Sequence, residues 1–239
     1  MTFDSSQATT KRGTGSLDEQ KAWDQYFNYL INSLSDQDAD TRQQSARRLG
    51  EHHEPRAIEA LSALLLDDPD MGVRQQAAWA LGEIGEPRAV EVLIHALHVP
   101  DLQVRQIAGK ALAQIGDPRA VEPLINALMD AHSDVRSQAA FALNKLGAPA
   151  VEPLIAALRH PNPAVRWSVA RILGSIGDAR ALPELDRAAR EDNTPVPMSG
   201  MPDTIKSTQP LANVAQAART AAEKIRQGKS TGLLKPPPR

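Results

Sequence analysis

The side chains best suited to chemistry in this chain fall on one register, counted from an arginine that recurs at Arg42, Arg74, Arg105, Arg136 and Arg166. Five residues beyond that arginine stand Arg47, Trp79, Lys110, Phe141 and Arg171, and one residue beyond it stand Gln43, Gln75, Gln106, Ser137 and Trp167. Positions four apart share a face of a helix, so the two sets form one ridge. Indole and phenyl rings beside guanidinium and ammonium groups are the composition of a binding surface: the rings anchor a partner and the cations pair with its carboxylates. The expected binding ridge is therefore Arg47, Gln75, Trp79, Gln106, Lys110, Phe141, Trp167 and Arg171. The competing expectation is that its aromatic residues pack against neighbouring repeats. No nucleophile, base and orienting group stand together, so no catalytic residue is assigned.

Other local patterns explain themselves without chemistry. Asp36, Asp38 and Asp40 imitate the start of a calcium loop, but Thr41 replaces its turn glycine and Arg47 its closing glutamate. Helix capping accounts for them better. Gly228 to Thr231 imitates the end of a phosphate loop, with Glu223 where the earlier glycine belongs and no strand before it. His52 with His53, and His95 with His98, lack the convergent third ligand that a metal needs, so no metal site is expected. Glu59, Glu91, Glu122 and Glu152 recur with the repeat and read as helix-end surface residues.

Composition narrows the classes further. There is no cysteine, which excludes disulfides, thiolate metal sites, cysteine nucleophiles and attachment of a cofactor to this chain through sulfur. The net charge of −2 creates no field that would gather nucleic acid or bind an anionic membrane. No apolar run reaches the roughly 20 residues of a membrane span, and the start of the chain carries Asp4 where a signal peptide would be apolar, so a cytoplasmic protein is expected. The hydrophobic residues are mainly Ala, Leu, Ile and Val with 3% aromatics, which suits closely packed helices.

The elements that position the ridge come from an internal repeat. The ladder arginines are spaced by 32, 31, 31 and 30 residues. The same text returns around each: VRQQAAWALGEIGEPRAVEVLIHAL from Val73, VRQIAGKALAQIGDPRAVEPLINAL from Val104, VRSQAAFALNKLGAPAVEPLIAAL from Val135 and VRWSVARILGSIGDARALPELDRA from Val165. Val73, Ala77, Ala80, Leu81 and Ile84 follow helical steps, as do Val90, Leu93, Ile94 and Leu97. Asp70, Asp101 and Asn162 stand where N-caps belong, with Pro163 in a first turn. Gly85, Gly116, Gly147 and Gly177 stand where a left-handed C-cap belongs.

Each unit is thus helix, turn, helix. Small residues at Ala77/Ala78, Ala108/Gly109 and Ala139/Ala140 let helices approach closely. No pair can bury its apolar stripe alone, so the pairs must stack. The expected fold is an all-α solenoid of about six helix pairs, with the ridge on the inner helices that line its concave side. The arginine after the valine, with aspartates in the preceding turn, is expected to form a structural ladder from one repeat to the next.

The run DPDMGVRQQAAWALGEIGEPRAVEVL from Asp68, with its copies between about Asp36 and Arg190, resembles the HEAT-like repeats of the phycobilisome lyase family. That resemblance implies two functions: a scaffold binding another protein, a phycobiliprotein or a second solenoid subunit, or a bilin lyase subunit or phycobilisome degradation factor. A bilin would be the ligand in the second case, its rings on the aromatics and its propionates on Arg47, Lys110 or Arg171. No resident cofactor is expected, and the family offers no catalytic motif to place on these residues.

At the ends of the repeat array, Trp23, Tyr26, Phe27, Tyr29, Leu30, Ile31 and Leu34 read as a capping helix. Residues 191–210 carry Pro195, Pro197, Pro202 and Pro210 with Met198 and Met201, and read as a long loop before a last helix from Leu211 to about Arg226. The solenoid is expected over residues 18–227, with disordered tails at 1–17 and 228–239.

Overall fold

The computed structural model describes residues 17–196 and 212–228. Both proposed tails, apart from Leu17 and Gly228, lie outside the described residues, as do Met198, Met201 and the prolines of the loop beyond Pro195. The described residues form twelve α-helices: α1 (Leu17–Ser33), α2 (Ala39–Glu51), α3 (Ile58–Asp67), α4 (Met71–Ile84), α5 (Val90–Ala96), α6 (Leu102–Ile115), α7 (Val121–Ala127), α8 (Ser133–Leu146), α9 (Val151–Ala157), α10 (Pro163–Ile176), α11 (Leu182–Glu191) and α12 (Val214–Arg226). They make an all-α solenoid of HEAT-like helix pairs, divided after Val92 into two compact units.

In the first unit, α2 packs on α4, α3 on α4 and α1 on α2. Tyr26, Phe27, Leu30 and Leu34 are buried, so α1 covers the end of this unit's core. Trp23 Nε1 donates to Glu54 at 3.2 Å, and Arg56 lies 4.0 Å over the Phe27 ring. In the second unit, α6, α8, α10 and α12 succeed one another, while α7 packs on α8, α9 on α10 and α11 on α12. Leucines at the same repeat position, Leu81, Leu112, Leu143 and Leu173, are wholly buried.

The caps follow from side-chain chemistry. Asp70, Asp101 and Asn162 accept from backbone N–H groups of the first turns of α4, α6 and α10. Gly85, Gly116 and Gly177 end α4, α6 and α10 in the left-handed conformation. Gly147 differs, at φ 65° and ψ −125°. The turn after it, APA, is one residue shorter than the EPRA and DPRA turns, and Gly147 serves both as the end of α8 and as the start of the next turn.

Each link between paired helices contains a short 3-10 turn, at Pro55–Ala57, Pro87–Ala89, Pro118–Ala120, Ala148–Ala150 and Ala179–Ala181. Three have an acidic cap that also pairs with the arginine inside the turn: Glu54 with Arg56, Asp117 with Arg119, and Asp178 with Arg180. The last helix starts at Val214 rather than Leu211. Residues flanking the undescribed part of the loop are tied together, with Val196 N donating to Ala212 O at 2.8 Å and Ala215 N to Asp192 O at 2.8 Å.

Candidate functional site

Three of the eight expected ridge residues, Arg47, Gln75 and Trp79, sit in the first unit. On α2, Gln43 Nε2 donates to Asp70 Oδ1 at 3.3 Å, and Arg47 pairs with Glu51 one turn on at 2.8 Å. On α4, Gln75 and Trp79 are half-buried. The Trp79 ring lies against Gly50 of α2, since a Cβ on that glycine would come within 3.0 Å of the indole. Trp79 therefore does in part what the packing alternative requires, resting on the glycine backbone of α2.

The second unit carries the rest. Gln106 is half-buried and Lys110 exposed on α6, Phe141 is 56% exposed on α8, and Trp167 is half-buried beside exposed Arg171 on α10. Arg171 lies 4.4 Å over the Trp167 ring, a cation–π contact within one helix turn. The register is fixed by close packing of these helices. Gly109 of α6 meets the side chain of Gln138 of α8, Asn144 of α8 donates to Ser175 Oγ of α10 at 2.8 Å, and Gly174 of α10 abuts Ala221 of α12. Gln138 Nε2 is buried with no hydrogen-bond partner among the described residues.

The ladder arginines are bonded differently from the expectation. The preceding turn supplies backbone carbonyls, at Asp36, Asp68, Val99, Asp130 and His160 for Arg42, Arg74, Arg105, Arg136 and Arg166. Carboxylates come instead from the turn after the following helix: Arg42 with Asp68 at 2.7 Å, Arg105 with Asp130 at 2.7 Å, and Arg166 with Asp192 at 2.6 Å. These aspartates are 62 residues apart, and Val99 and His160 occupy the intervening positions, so the unit of charge pairing is two repeats. Burial pushes each of the three carboxyls up, but the arginine hydrogen bonds, together with backbone N–H donors, outweigh it and leave them below the usual carboxylate range.

The sequence reading missed the carboxylate side of this ladder, although the 62-residue recurrence of aspartate was visible in it. It also missed Lys145, exposed one turn beyond Phe141 on α8. Asp36 and Asp38 serve the start of α2, Asp36 Oδ1 accepting from Asp38 N and Asp38 Oδ2 from Thr41 N. Among the described residues no cluster of three metal-ligating side chains exists, and no helix is long and apolar enough to cross a membrane.

No curated protein matches this chain. Solved structures similar to it include the complex of CpcE and CpcF of phycocyanin lyase from Nostoc sp., at 20% identity, covering 90% of this chain and 97% of that one, with a TM-score of 0.43. An engineered protein is similar at 27% identity over 84% of this chain and 99% of that one, with a TM-score of 0.49. A designed armadillo repeat protein in complex with the peptide (KR)4 is similar at 22% identity over 82% and 99%, with a TM-score of 0.43. HEAT repeats are matched over residues 27–113, 93–151 and 121–197, and the chain belongs to the HEAT-repeat family.

Proposed function

We propose that this chain is a non-catalytic scaffold that captures a segment of another protein on helices α6, α8 and α10 of its second unit, with Phe141 as the apolar anchor. The exposure of Phe141 carries the reading. A phenyl ring left in water forgoes about 2 kcal/mol of burial that a partner would recover. It stands on α8, between α6 with Lys110 and α10 with Trp167 and Arg171. Gln106 adds an amide able to donate and accept. In the first unit Arg47, Gln75 and Trp79 hold the same register, with Arg47 already engaged by Glu51.

Selection from a random peptide display library on the purified chain, run in parallel on Phe141→Ala, tests this. Peptides enriched by the wild type and lost on the variant support it. No enrichment, or peptides that bind both chains equally, would sink it.

Phycobiliproteins are the first whole partners to try, alone and with a second solenoid subunit, because the repeats resemble those of phycobilisome lyases. A second reading, a bilin lyase subunit or phycobilisome degradation factor, draws on the Arg171 guanidinium stacked on Trp167, a flat surface with a cation beside it. It requires an absorbance change when free bilin, or bilin with an apo-phycobiliprotein, meets the wild type, and a smaller one with Trp167→Ala. An unchanged spectrum in both mixtures removes this reading and leaves the scaffold.

A further inference from the structure

Resting on the protein-binding reading, we infer that the segment captured by the second unit is acidic, with carboxylates for Lys110, Lys145 and Arg171 around an apolar residue seated on Phe141. Helices α6 and α10 contain no acidic residue, and α8 contains one, Asp134, in its first turn. The cations of these helices divide cleanly. Arg105 and Arg166 are consumed by Asp130 and Asp192, and Arg136 by the carbonyls of Asp130 and Ala131. Lys110, Lys145 and Arg171 are exposed, and among the described residues none of them has a carboxylate within 4.0 Å.

The first unit shows the contrast. Nine residues past the ladder arginine it has Glu51 and Glu83, where the second unit has Gln114, Lys145 and Ser175. Glu51 pairs with both Arg47 and Arg48, so α2 neutralises its own exposed cations. Elsewhere in the second unit Arg159, Arg180, Arg187 and Arg226 each engage a carboxylate. Arg190, Arg219 and Lys224 of α11 and α12 are also without a carboxylate among the described residues, but the open cations of α6, α8 and α10 are the ones that share a register with exposed Phe141. Lys145 gains something from the C-terminal end of α8 and Arg171 from the Trp167 ring, and both keep donors free for a ligand.

An extended peptide suits the layout better than a nucleic acid. Three cations are few for a phosphate backbone, whereas an apolar anchor flanked by cations fits alternating carboxylate and aliphatic side chains. About 10 residues suffice, since helices about 10 Å apart are crossed at about 3.3 Å per residue.

The test is fluorescence anisotropy on the full chain with labelled peptides of repeated Glu-Glu-Leu, the matching Gln-Gln-Leu and Lys-Lys-Leu peptides, and a single-stranded oligonucleotide of the same length. Three exposed ion pairs are together worth about tenfold in affinity. The acidic peptide is expected to bind about tenfold more tightly than the glutamine peptide and to weaken as salt is raised. The triple variant Lys110→Glu/Lys145→Glu/Arg171→Glu, checked for unchanged helicity, should lose the acidic peptide and take the lysine peptide. Equal binding of the glutamine peptide, or binding of the oligonucleotide as tight as that of the acidic peptide, overturns the inference. If display selection returns Phe141-dependent peptides without acidic enrichment, the acidic inference falls and the scaffold stands. If neither method yields a binder, both fall.

Discussion

Arg105 is held by Asp130 from the turn between the next two helices, Nε to Oδ2 at 2.7 Å and Nη2 to Oδ1 at 3.3 Å, with both side chains nearly buried. The same aspartate offers its backbone carbonyl to Arg136 at 2.7 Å, so one residue ties two successive repeats together. Replacing Asp130 with Ala leaves a guanidinium buried without its carboxylate. The expected loss is about 3 kcal/mol in chemical denaturation, against about 0.5 kcal/mol or less for Asp134→Ala on the exposed first turn of α8. Equal effects of the two would show that the ladder contributes nothing to stability.

Gly174 sets how closely α10 and α12 approach. A Cβ there would lie 2.7 Å from both Cα and Cβ of Ala221, and backbone cannot rotate away as a side chain can. Gly174→Ala should therefore cost about 2 kcal/mol although alanine is the better helix former. A melting temperature at or above that of the wild type would mean that α12 is free to move outward.

Gln138 brings a buried amide N–H without a partner among the described residues to the packing of α8 on α6, next to Gly109 where other repeats carry alanine. Methionine has nearly the same length and no donor to satisfy. Gln138→Met is expected to raise stability by about 1 kcal/mol, and a loss of that size would reveal a hydrogen bond made in solution.

Much of this architecture is legible from the chain alone, because the features that specify it are local. A valine followed by arginine, an aspartate three before the first apolar position and a glycine after the last one each act within a single helix, so Asp70, Val73 and Gly85 announce α4 without knowledge of its neighbours. The partner of each ladder arginine is not local. Arg42 and Asp68 stand 26 residues apart and meet only after α3 has packed, so the nearer aspartates of the preceding turn look like the obvious partners. Trp79 and Phe141 share a register, yet Trp79 leans on Gly50 and Phe141 meets water. That difference depends on which residue the adjacent helix offers, and register alone cannot supply it.

Phe141 and Leu143 separate the binding surface from the core within one helix. Leu143 is wholly buried and Phe141 is open to solvent. Leu143→Ala should cost about 3 kcal/mol, while Phe141→Ala should change the unfolding free energy by no more than about 0.5 kcal/mol and yet weaken peptide capture. A large destabilisation by Phe141→Ala would identify the ring as a packing residue and remove it from the proposed site.

Glu184 receives Arg159 at 2.7 Å from the preceding pair and Arg187 at 2.7 Å from its own helix, and these hydrogen bonds hold its carboxyl at about 2, well below the usual range. A carboxyl more acidic in the folded chain than in the unfolded one stabilises the fold when ionised in both. That contribution is complete above the unfolded value near 4.5 and disappears as the pH falls toward 2. Because Arg159 is largely exposed, solvent screening limits it to about 1 kcal/mol. The stability difference between wild type and Glu184→Gln, measured by urea unfolding from pH 7 downward, should therefore be about 1 kcal/mol at neutral pH and close to zero near pH 2. Asp68, Asp130 and Asp192 weaken the fold in the same acid range in both proteins, so the difference isolates Glu184. A gap that stays constant with pH would mean that shape and packing, not charge, account for what Glu184 contributes.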